Sequence, residues 1–130
     1  MVPNLTFDTG ALIAWEGNRA NINKIVALAT ELERRIYVPQ VVLAEWWRGY
    51  SKRRGQILRS VTIDPVTTHQ AKAAGEALAQ LGMATCAELT IDALVMASAA
   101  TRGDIVYTSD QNDLLLLQNH FKGVRRVYPV

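Results

Sequence analysis

A single cysteine, Cys86, excludes an internal disulfide and cannot form a zinc centre alone. Apolar runs stop at five residues, as in Ala11 to Trp15, whereas a membrane-spanning helix needs about 20. The first fifteen residues hold Asp8 but no Lys or Arg, so neither a membrane segment nor a secretory signal is expected. With only four prolines and eight glycines against 49% hydrophobic residues, the chain shows no linker or low-complexity stretch and no internal repeat. Among the eight glycines there is no Gly-x-Gly pair, no Gly-x-x-x-x-Gly-Lys and no Gly-x-Ser-x-Gly, which removes dinucleotide, phosphate-loop and nucleophile-elbow sites. Net charge is small too: 14 basic against 12 acidic residues, +2 overall, too mild to mark a nucleic-acid binder. The expectation is a soluble, cytoplasmic protein of 130 residues forming one domain, residues 1–130.

What is present is an alternation of short apolar runs with helical periodicity. Leu5-Thr6-Phe7, Ile36-Tyr37-Val38, Val61-Thr62-Ile63 and Ile105-Val106-Tyr107-Thr108 read as strands, and Val124 to Val127 as a last edge strand. Helices are expected after Asp8, over Ile22 to Arg35, from Pro39 through Trp47, from a Thr68 cap to Gly82, over Ile91 to Thr101, and over Asp110 to Leu117. This order implies an α/β domain, helices flanking a mostly parallel sheet. Trp15, Trp46 and Trp47 offer apolar area to a core or an interface, and a homodimer is the expected assembly. His69 and His120 are not spaced as a ligand pair.

In such a sheet, ligands bind beyond the carboxyl ends of the strands. Asp8 follows strand one, Glu45 lies two turns into the helix leaving strand two, and Asp110 follows strand four. Asp92 opens the helix leading into strand four, and Asp113 follows Asp110 by three residues. Singly, Asp92 can complement a helix dipole and Asp110 can cap a helix. Glu45 is harder to dismiss: it stands between Ala44 and Trp46-Trp47 in an apolar stretch, where burying an unpaired carboxylate would be costly. Two carboxylates about 4 Å apart repel by about 4 kcal/mol at an effective dielectric of 20, so four together call for protons or a cation. Oxygen ligands select Mg²⁺ or Mn²⁺ over zinc, and carboxylate-held Mg²⁺ suits phosphate-ester hydrolysis. Five of the 14 cations, Arg48, Lys52, Arg53, Arg54 and Arg59, form an acid-free segment shortly after Glu45, a candidate grip for a phosphodiester substrate. Arg19, Lys24 or Arg102 are the alternative path.

Four segments carry a family resemblance: Phe7-Asp8-Thr9-Gly10-Ala11-Leu12-Ile13-Ala14, Val38-Pro39-Gln40-Val41-Val42-Leu43-Ala44-Glu45, Asp92-Ala93-Leu94-Val95-Met96-Ala97 and Tyr107-Thr108-Ser109-Asp110-Gln111-Asn112-Asp113-Leu114. In this order the chain resembles the PIN domains, and among them toxins of the VapC type. The resemblance implies an α/β/α fold with a parallel sheet and a metal-dependent endoribonuclease, toxin of a toxin–antitoxin pair, cutting RNA to leave a 5′-phosphate and a 3′-hydroxyl. It assigns Asp8, Glu45, Asp92 and Asp110 as the acidic quartet, Asp113 as a fifth acid and Thr108 as a supporting hydroxyl. It further implies Mg²⁺ or Mn²⁺ as cofactor and a cognate antitoxin as partner. Gly10 departs from the serine of many relatives, and Trp46-Trp47 is bulkier than usual. The rival readings are a non-catalytic PIN-like module that binds RNA or a partner, and a housekeeping RNA-processing nuclease. Haloacid dehalogenases would need Asp where Gly10 stands, and a receiver domain an acidic pair at strand one.

Overall fold

A computed structural model describes residues 2–82 and 89–130; Cys86 lies outside them. Five strands, β1 (Leu5–Phe7), β2 (Ile36–Pro39), β3 (Thr62–Asp64), β4 (Ile105–Thr108) and β5 (Arg126–Pro129), form one sheet in the order β3-β2-β1-β4-β5. Every pairing is parallel, with Leu5 opposite both Ile36 and Ile105. Seven helices complete the described residues: α1 (Thr9–Glu16), α2 (Ala20–Glu31), α3 (Gln40–Trp46), α4 (Lys52–Ser60), α5 (Thr68–Gln80), α6 (Thr90–Arg102) and α7 (Gln111–Gln118). None of these helices is long and apolar enough to cross a membrane.

The sheet is central because its inner strands are apolar in continuous runs, as parallel strands covered on both faces must be. Leu5, Thr6 and Phe7 are all buried, with Val38, Val42, Leu12, Met96, Val106 and Leu114 around them. Phe7 meets Trp15 and Tyr107 edge to face at 5.8 and 5.9 Å, a favoured aromatic geometry. Trp15 and Trp46 are buried, so their area serves the core and not an interface. Along α6, Ala93, Ala97, Ser98 and Ala99 are buried; small side chains let the helix lie close to its neighbours.

Several boundaries differ from those read off the sequence. The helix expected over Ile22 to Arg35 spans Ala20–Glu31, because the chain turns at Leu32 and takes positive φ at Glu33. Thr67, not Thr68, caps α5, in a reciprocal capping box with Gln70. The basic segment is a separate helix, α4, capped by Ser51 and set off from α3 by Trp47 to Tyr50, with Gly49 at φ 96°.

One feature was not legible in the sequence. Asp104 is fully buried, and its Oδ2 accepts from Thr6 Oγ1 (2.7 Å) and Arg102 Nε (2.9 Å). Arg102 Nη1 also reaches Asp64 Oδ2 (2.9 Å), which Ser98 Oγ and Gln70 Nε2 bond as well. The guanidinium lies 3.8 Å from the Tyr37 ring centre. Burial raises the Asp64 pKa, but the hydrogen bonds from Ser98, Arg102 and Gln70 outweigh it and leave the group below its ordinary value. Arg102 thus ties β1 and β3 to Asp104, which leads into β4, and its guanidinium is engaged within the fold.

Candidate active site

The acids come from elements that the parallel topology ends at one sheet edge. Asp8 closes β1 and caps α1, its Oδ1 accepting the Ala11 N–H at 2.8 Å. Its Oδ2 accepts the Thr108 hydroxyl from the neighbouring strand. Thr108 Oγ1 in turn accepts the Asp110 N–H at 2.9 Å, so one buried hydroxyl fixes two of the acidic positions. Asp110 caps α7 through the Asp113 N–H. Asp92 lies in the first turn of α6.

Glu45 corrects the sequence reading. It is exposed, not buried; Trp46 beside it turns into the core, and the helix carries Glu45 outward. Its Oε1 accepts a hydrogen bond from Thr9 Oγ1 at 2.5 Å, tying α3 to the start of α1. Thr9 was missed in the sequence; its position next to Asp8 was the only signal.

Electrostatics joins the five carboxylates. Asp92 is pushed up to about 7, first by burial and then by Asp8, Asp113, Asp110 and Glu45 in turn. Asp8 is also raised, by burial first and by Glu45, against hydrogen bonds from Thr108 and Ala11. All five candidate acids therefore share one field. Even so, no three His, Cys, Asp or Glu side chains among the described residues stand close enough to hold a metal ion between them. The carboxylates form an open ring. Such a set fits a cation that keeps several waters and takes only one or two carboxylates directly, the habit of Mg²⁺. The donor set is all oxygen and its charge is in excess, so chemistry and sign both suit a hard divalent ion.

A stability consequence follows from Asp92. Its folded pKa lies above the ordinary 3.8, so the folded state holds an extra proton between about pH 4 and 7. That contribution is complete below this window and lost as pH rises through it. In EDTA, thermal melting should therefore occur at a higher temperature near pH 5.5 than near pH 8. Mg²⁺ should narrow the difference, and Asp92→Asn should reduce it; equal melting at both pH values would refute the coupling.

The basic candidates separate into two groups. Arg54 pairs with Glu16 at 2.7 Å, and Arg53 donates to the Trp15 carbonyl at 2.8 Å, both locking α4 to the end of α1. Arg48 is exposed and donates to the Ala44 and Trp47 carbonyls. The side chains of Lys52 and Arg59 are exposed and have no hydrogen-bond or ion-pair partner among the described residues. Within this segment Arg53 and Arg54 are thus engaged by the fold, whereas Arg48, Lys52 and Arg59 face solvent.

A five-stranded parallel sheet between helices, with its carboxylates gathered at the carboxyl edge, defines an α/β/α domain. The PIN domain model matches residues 5–116, and the chain belongs to that family. Its fold is similar to that of VapBC2 from Rickettsia felis bound to a DNA fragment from their promoter, at 12% identity and TM-score 0.71, covering 95% of this chain and 97% of that one. It is similar also to DNA-bound VapBC from Salmonella typhimurium, at 16% identity and TM-score 0.69, covering 98% of each chain. No curated protein matches the sequence.

Proposed function

We propose that this chain is a Mg²⁺-dependent endoribonuclease, Mn²⁺ substituting, and the toxin of a type II toxin–antitoxin pair acting on structured RNA. The observation that carries the reading is the gathering of Asp8, Glu45, Asp92, Asp110 and Asp113 at one sheet edge, where their repulsion adds to the larger effect of burial in raising Asp92 to about 7. Membership of the PIN family supports it, and so does the likeness to two VapBC structures.

One or two of Asp8, Asp92 and Asp110 would hold the cation directly, and the remaining carboxylates, Glu45 and Asp113 among them, would act through its waters. When bound, it supplies charge neutralisation for the phosphodiester and makes water a better nucleophile at neutral pH. Thr108 holds Asp8 in place, so the ligand carboxylate costs no reordering on binding. Glu45 has Oε1 engaged by Thr9, leaving Oε2 to orient the attacking water. The water oxygen bonds to phosphorus as the P–O3′ bond breaks, one proton passing to O3′; the products are a 5′-phosphate and a 3′-hydroxyl.

The partner reading is an antitoxin that lays a basic side chain among these carboxylates, a charge-assisted contact. A saturated complex should then cleave little RNA, and full activity in it would displace the interface elsewhere. The direct test of function is cleavage of folded RNA by the purified chain in Mg²⁺ and in EDTA. Cleavage only with the metal supports the nuclease; intact RNA in both, with binding retained, supports the non-catalytic module.

The RNA grip is testable through salt. Replacing Arg48, Lys52 and Arg59 by Ala should flatten the log–log salt dependence of RNA binding by about two units, at about 0.7 per phosphate contact. The cut position should not move, because backbone contacts carry no base information. Arg54→Ala should instead lower thermal stability through loss of the Glu16 pair. An unchanged slope in the triple variant would return these residues to a solvated face.

A further inference from the structure

A cavity of about 490 Å³ adjoins the acidic ring and contains none of its carboxylates. Gly10, Ile13, Arg19, Asn21, Ser109 and Val130 line it. Its wall is continuous with the site. Gly10 stands between Thr9, which donates to Glu45, and Ala11, whose N–H Asp8 accepts. Ser109 stands between Thr108 and Asp110. The two wall residues meet closely: a Cβ on residue 10 would fall 1.8 Å from Ser109 Oγ. Only glycine lets the Ser109 hydroxyl lie there, as a partition between ring and cavity.

The lining chemistry is specific. Ile13 is 59% exposed and offers an aliphatic wall together with Val130. The exposed side chains of Ser109, Asn21 and Arg19 have no hydrogen-bond or ion-pair partner among the described residues. An apolar wall, an amide, a hydroxyl and a guanidinium, all open to solvent, match a ring face, a base edge and a phosphate. The volume lies within the range of about 300–1,000 Å³ typical of small-ligand sites. The acidic ring repels a polyanion, so the strand must find its cations beside the ring, and Arg19 lines this cavity.

We propose that this cavity is a base-selective subsite for the nucleoside next to the phosphodiester held at the acidic ring. The inference rests on the nuclease reading of that ring. Arg19 would grip the flanking phosphate, Asn21 would read the base edge, and Ile13 would support the ring face.

The test compares two substrates. Folded RNA hairpins carrying each of the four bases on either side of the cut probe the cavity; bis(p-nitrophenyl) phosphate, a diester without a base, probes the acidic ring alone. Ile13→Glu should lower kcat/KM on RNA about tenfold to a hundredfold, the usual worth of one base contact. It should leave hydrolysis of the small diester unchanged. Leu28→Glu adds the same charge at another exposed apolar position outside the cavity lining, and should change RNA cleavage far less. Asn21→Ala should level the base preference at one position flanking the cut. Equal loss in both Glu variants, or RNA cleavage by Ile13→Glu at the wild-type rate and preference, overturns the subsite while leaving the nuclease reading intact. The second result is also what a cavity seating a partner protein's segment would give. If the unaltered protein hydrolyses neither substrate in Mg²⁺, the nuclease reading fails and the subsite with it.

Discussion

Asp8→Asn and Asp92→Asn are each expected to reduce Mg²⁺-dependent RNA cleavage by about a thousandfold or more, since metal-supplied charge stabilisation is worth several kcal/mol and each 1.36 kcal/mol is tenfold in rate. Neither change should unfold the protein. At residue 8 an amide oxygen can still accept the Ala11 N–H, and the amide nitrogen can donate to Thr108, whose hydroxyl rotates. At residue 92 the amide removes a charge that burial and four neighbouring carboxylates already oppose. Asp92→Asn should therefore melt at a higher temperature than the unaltered protein in EDTA near pH 8. Quenched-fluorophore RNA cleavage and thermal melts report the two effects independently. Cleavage at the unaltered rate by either variant would remove that residue from the site; a lower metal-free melting temperature for Asp92→Asn would mean its charge is compensated within the fold.

Arg102→Ala is expected to produce the largest loss of stability. The fully buried Asp104 would lose its cation, and Asp64 would lose its ion pair. Breaking a buried pair from one side costs about 3–5 kcal/mol, which for a domain of this size corresponds to about 10–20 °C in melting temperature. Adding Asp104→Asn should recover part of the loss, because the uncompensated charge disappears while Thr6 keeps an acceptor. Chemical denaturation of the three proteins measures this directly. A loss below about 1 kcal/mol, the level of an exposed pair, would show that water reaches the Arg102 site. Since this network lies apart from the acidic ring, metal-dependent cleavage at low temperature should be retained.

How much of this was readable beforehand varies by residue. The strands at Leu5–Phe7, Ile36–Pro39 and Ile105–Thr108 were legible because strands covered on both faces are continuous apolar runs. The acids were legible because each follows such a strand or opens a helix returning to one, and parallel topology brings those points to one edge. Glu45 was assigned for a reason that does not hold: apolar neighbours in sequence suggested burial, yet on a helix successive residues point about 100° apart, so Trp46 enters the core while Glu45 faces outward.

Composition and local pattern by themselves determined the α/β class and the inward faces, because these depend on interactions within a few positions. The tertiary structure alone decided which cations are available. Arg53, Arg54 and Arg102 look like Lys52 in sequence, but their partners lie 38 to 96 residues away: Trp15, Glu16, Asp64 and Thr6. It also decided that Ser109 lies over Gly10 beside an open cavity. A charge or a hydroxyl takes its role from what it meets in space, and contacts between segments far apart in the chain leave no periodic trace in the sequence that folds to make them.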